Sequence, residues 1–133
     1  MKRRQGLFFG LLSSAMFIFF FIACSTKDKE MTITTSSEEA KQLFIQARDY
    51  YENIEFQKSL KLLDDAIVID TNFALAYLYK GLVSGSPAKL STNVERAALL
   101  AENVTDGEQL LINMTKSSNL DNDQNKSNEY LDK

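Results

Sequence analysis

The chain has 133 residues, with 15 Lys+Arg, 18 Asp+Glu, one Cys and neither His nor Trp. That length fits one small domain. Lack of His excludes Ser-His-Asp and Cys-His catalysis and any His-ligated zinc. One Cys leaves no internal disulfide and no paired-thiol chemistry. Charge is unevenly spread. Residues 1–23 hold Lys2, Arg3 and Arg4, no acidic residue, and six of the nine Phe. From Cys24 onward, acidic side chains outnumber basic ones by six, and fewer than half of the residues are hydrophobic. Phosphate affinity comes mainly from Lys and Arg, so a nucleic-acid partner is not expected.

In chain order, Met1–Gln5 is a basic start and Leu7–Ile22 an apolar run. Sixteen helical residues span about 24 Å, short of a ~30 Å hydrocarbon core. The segment reads as an export signal rather than a membrane span. It ends in Phe21-Ile22-Ala23-Cys24-Ser25. This resembles the lipobox of bacterial lipoproteins, although Phe21 replaces the usual Leu. The resemblance implies cleavage before Cys24 and acylation of its thiol with diacylglycerol and fatty acid such as palmitate. The anchored chain would sit in the bacterial cell envelope, on the outer membrane, with no other cofactor. Ser25-Thr26-Lys27-Asp28-Lys29-Glu30 is a charged, solvated stretch, similar to the export signals of surface lipoproteins. Met31–Ser37 continues it as a flexible polar spacer.

Helical periodicity then begins. Ser36 and Glu39 read as a capping box opening a first helix with Ala40, Leu43, Phe44, Ala47 and Tyr50 on one face. Asn53-Ile54 breaks it. A second helix carries Phe56, Leu60, Leu63 and Ile67 and ends at Asp70-Thr71-Asn72. A third, from Phe73 to about Val83, is apolar on most sides, which places it mid-stack. Val83–Leu90 reads as a long, turn-rich connection. Thr92 and Glu95 form a second apparent capping box, before Val94, Ala97, Ala98, Ala101 and Val104. Thr105 and Glu108 form a third, before Leu110, Leu111, Ile112 and Met114. Thr115–Asn128 reads as a polar loop, and Glu129–Lys133 as the start of a further helix. Nothing in sequence covers the apolar residues of the fifth helix. This marks a truncated relative of a longer repeat protein, a docking face, or a frayed tail beside a self-covered core.

One constant shift along the chain places Ala40 on Ala74, Leu43 on Tyr77 and Ala47 on Gly81. The period, roughly 34 residues, resembles that of the tetratricopeptide repeat. There, a bulky residue followed four positions later by a small one lets paired helices approach closely. Leu43/Ala47 and Tyr77/Gly81 are the two such pairs. The resemblance implies an all-α fold of antiparallel helix hairpins stacked as a short solenoid over residues 37–116. Residues 1–23 would be the signal, 24–36 the tether, and 117–133 a polar loop with an incomplete helix.

Such arrays bind peptides or partner proteins along a groove of alternate helices. The family's groove positions fall on Lys41, Phe44, Arg48, Tyr51 and Glu52, with Lys41 and Arg48 suited to a carboxylate and Phe44 and Tyr51 to flat apolar contact. In the second repeat they fall on Leu75, Leu78, Leu82 and Gly85, which read equally well as core. Asp64-Asp65 and Asp49/Glu52 are examples of candidate acid/base pairs, and Asp64-Asp65 lie off their helix's apolar stripe. With no phosphate loop, metal cluster or nucleophile motif, an enzyme is not expected. A nutrient- or carbohydrate-binding envelope lipoprotein is the alternative, disfavoured by the lack of Trp. A non-functional fragment of a longer repeat protein is another. The expected partner is an envelope protein or extended peptide.

Overall fold

A computed structural model describes residues 31–120 and 128–130. The signal segment, Cys24, the charged stretch after it, and residues 121–127 and 131–133 lie outside them. The described residues are all-helical and contain no strand. Five α-helices follow one another: α1 (Glu38–Glu52), α2 (Phe56–Ile69), α3 (Ala74–Val83), α4 (Pro87–Leu100) and α5 (Asp106–Asn119). A short 3-10 turn, Ala101–Asn103, joins α4 to α5. Each helix packs against the next in sequence, and α3 also touches both α1 and α5.

Local chemistry explains most of the boundaries. The Ser37 side chain, not Ser36, caps α1: it accepts from the Ala40 N–H at 3.2 Å. Glu38 and Glu39 follow, where the positive end of the helix dipole favours acid. The far end closes with paired bonds, Glu55 N–H to Tyr50 O at 2.8 Å and Ile54 N–H to Tyr51 O at 3.0 Å. This is the bonding of a Schellman turn, whose pivot residue is left-handed and usually Gly. Here the pivot is Ile54, at φ 63°.

The expected long connection over Val83–Leu90 is only Ser84–Ser86. Pro87 is the first residue of α4, where a missing N–H costs the helix nothing. Gly85, at φ 62°, makes the turn. The apparent Thr92–Glu95 box therefore falls inside α4, where the Thr92 hydroxyl bonds back to Ala88 O at 3.0 Å. Thr105–Glu108 is a true capping box, each side chain bonded to the other's backbone. α5 runs to Asn119, well past the expected end at Met114. Along its polar run the Thr115 and Ser118 hydroxyls donate to carbonyls one turn earlier, both at 2.8 Å.

The core is built on Phe44, Leu63, Phe73, Leu75, Leu78 and Ile112, all at most 1% exposed. Ala47 and Gly81 are buried, and Leu43 and Tyr77 are half-buried. At Gly81, α3 lies tight against α4. A methyl group there would meet Leu90 O at 3.2 Å, Asn93 Cβ at 3.3 Å and Val94 Cγ2 at 3.4 Å. Leu110, Leu111 and Met114 of α5, expected to be uncovered, are half-buried, and Ile112 is fully buried.

Residues 31–36, expected to be flexible spacer, instead lie against the helices. Ile33 is 9% exposed and joins the core, with Met31 packed beside it. Polar sequence did not keep this segment solvated, because buried carboxylates on the helices accept its donors.

Candidate interaction face

The groove residues expected from sequence divide in two. Arg48, Tyr51 and Glu52 occupy the last turns of α1, beside Tyr79 of α3. Burial pushes the Tyr79 hydroxyl up; the Arg48 charge pulls it down, while Tyr51 and Glu52 add to the rise. Tyr51 meets Tyr79 edge-on, with ring centroids 5.4 Å apart, and Phe56 at 6.0 Å. The result is an aromatic surface bordered by one cation and one carboxylate. Two helical turns before Arg48, and so on the same side of α1, Lys41 lies 4.0 Å from Glu38.

Phe44 is a correction. It is 1% exposed, packed against Phe73 at 5.1 Å and edge-on to Tyr79 at 5.2 Å. A peptide cannot reach it, so its role is to hold Tyr79 from below. Of the second repeat's positions, Leu75 and Leu78 are fully buried core, Leu82 is half-buried, and Gly85 is in the exposed turn after α3. α3 instead contributes Tyr79, which the expected repeat register does not single out. One signal does point to it: α3 is almost wholly apolar, so its phenol hydroxyls must reach the surface.

Asp64 and Asp65, weighed as an acid/base pair, are both engaged in ion pairs. Asp64 pairs with Lys80 and Asp65 with Lys61, each at 2.7 Å. Among the described residues no three His, Cys, Asp or Glu side chains converge as a metal site. No helix among them is long and apolar enough to cross a membrane. An open depression of about 470 Å³ lies along α5, between Asp106, Leu110, Asn113 and Tyr130. No protein-family model, curated protein or solved structure matches the chain.

Proposed function

We propose that this chain is a lipid-anchored module of the bacterial envelope that binds another protein through an extended segment and performs no chemistry of its own. The observation that carries the reading is the α1–α3 face, where Arg48, Tyr51, Glu52 and Tyr79 come together from two helices one repeat apart. Two further features support a short tetratricopeptide-like stack beneath it. Helices pack in sequential order with α1, α3 and α5 in mutual succession, and a glycine lets α3 and α4 close tightly. Arg48 and Lys41 offer positive charge to an acidic side chain or chain-terminal carboxylate. Tyr51 and Tyr79 offer flat, low-entropy contact to the residues beside it. Cys24, at the end of the export signal, is the site of lipidation.

A photocrosslinking residue at Tyr51 tests the face, with one at Val68, 80% exposed on α2, as its control. Crosslinking in the native envelope should capture one envelope protein from Tyr51 and not from Val68. Equal capture from both, or none from either, refutes the binding face. For the anchor, Cys24→Ala should move the protein out of the membrane fraction or strand it uncleaved, without labelling by radioactive palmitate. Palmitate labelling that survives the substitution refutes lipidation at Cys24.

A further inference from the structure

Two buried carboxylates hold the segment that leads into α1. Glu108 is fully buried at the start of α5. The Thr34 N–H donates to its Oε1 at 2.7 Å and the Thr34 hydroxyl to its Oε2 at 2.5 Å. That same oxygen takes the Thr105 N–H at 2.9 Å and the Thr105 hydroxyl at 2.8 Å. Asp70, 7% exposed in the turn after α2, receives the Thr35 hydroxyl at 2.6 Å and the Ser36 N–H at 2.8 Å on Oδ2. Just before these two clasps Ile33 enters the core, and a methyl group on Gly107 would meet Met31 Cγ at 3.5 Å.

The partners are 74 and 34–35 residues apart in sequence, so the segment closes across the fold rather than along it. Donors that bond to a carboxylate are worth more than neutral pairs, about 1.5–3 kcal/mol each. The fastening is nonetheless local. It uses one buried aliphatic side chain and a few hydrogen bonds, whereas the helices carry caps of their own at Ser37 and Thr105. The segment can therefore open while the helices stay folded.

We propose that Met31–Ser36 is a releasable strap that sets how much chain separates Cys24 from the helices. The consequence for reach rests on the anchor reading, whereas the strap itself is measured without it. With the strap closed, residues 25–30 separate anchor from domain, a length that extends at most roughly 20 Å. With it open, residues 25–36 separate them and the reach doubles to roughly 40 Å. The strap thus holds the binding module close to its membrane or lets it out toward a distant partner.

The test uses the full mature protein on phosphatidylcholine vesicles, with amide hydrogen exchange read by mass spectrometry. Thr34→Val combined with Thr35→Val removes the hydroxyl donors to both carboxylates, keeps the two amides that report on the strap, and leaves both helix caps intact. In the wild type, the amides of Thr34 and Ser36 should be protected. In the variant, protection should fall roughly ten- to a hundredfold, with the helical circular dichroism unchanged. Energy transfer from the domain to labelled lipid should fall in parallel. Wild-type strap amides that exchange as fast as free peptide, beside protected helices, overturn the proposal. If the double variant loses its helical signal, Thr34→Val alone gives the decisive comparison: strap exchange must rise, and unchanged exchange overturns the proposal. A protected strap on a protein that does not stay with vesicles defeats the anchor reading and leaves the strap standing. Unchanged energy transfer after strap release defeats the claim about reach.

Discussion

The two helical hairpins close in opposite ways. α3 and α4 meet at Gly81, where even a Cβ would be crowded against α4, and they are joined by a short turn with a glycine at the left-handed position. In the first hairpin, α2 carries Ser59, which is fully buried with a hydroxyl that has no hydrogen-bond partner. The turn between α1 and α2 puts Ile54, a β-branched residue, at the left-handed position. The second hairpin has the residues that its geometry asks for. The first tolerates two local costs, and it is the first that ends in Tyr51 and Phe56 of the candidate face. Evenly optimised packing would have placed a small apolar residue and a glycine there. Strained or unsatisfied groups gather where a surface has a task besides folding.

The largest effect should come from filling the tight joint. Gly81→Leu adds four carbons against Leu90, Asn93 and Val94, and overpacking of this kind costs about 3 kcal/mol. For a domain of this size, the melting temperature should fall by about 10–20 °C. Gly81→Ala is the control, since its single methyl group is offset by better helix propensity and should move the melting temperature little. An unchanged melting temperature for the leucine variant would mean that α3 and α4 do not close at this point.

Asp70 comes next. Burial pushes its carboxyl up, but bonds from Thr35, Ser36 and Asn72 outweigh burial and hold it below the usual carboxylate range. A carboxyl lowered by folding stabilises the protein above its unfolded pKa of about 4. That stability is lost as the pH falls from there through the folded value. Asp70→Asn should cost about 2 kcal/mol at pH 7. The gap in urea midpoint between wild type and variant should narrow as the pH drops from about 5 to about 3. A gap that is constant with pH would show that the charge on Asp70 contributes nothing.

How much of this was legible in the sequence depends on the range of the signal. The ends of α1 and α2 were marked by their own residues, Asn53-Ile54 and Asp70-Thr71-Asn72, and the Thr105–Glu108 box by its spacing. α4 was misplaced because Pro87 is a turn residue by habit and a helix-starter by position. α5 was cut short because Thr115, Ser118 and Asn119 look like loop, yet each donates to a carbonyl within its own helix. Phe44 was assigned to the surface because a repeat register fixes which residues correspond, not which ring lies beneath which. The strap left no local trace at all. Its carboxylates are recognisable only once the fold brings Glu108 to Thr34.

The two smallest effects test the costs of the first hairpin, and both should stabilise. Ser59→Ala removes a buried hydroxyl that gains nothing and improves helix propensity, so the urea midpoint should rise by the equivalent of about 1 kcal/mol. A fall would mean that the hydroxyl has a partner. Ile54→Gly relieves a left-handed isoleucine, worth about 1–2 kcal/mol. Against that stands the greater freedom of glycine in the unfolded chain, about 0.5–1 kcal/mol. Little burial is lost, since Ile54 is 74% exposed. The difference leaves a net gain of about 0.5 kcal/mol. Capture from Tyr51 is the second readout. If stability rises and capture persists, Ile54 is only a strained turn. If stability rises and capture is lost, the isoleucine is held in its unfavourable conformation as a contact, and the binding face extends past Tyr51 into the turn.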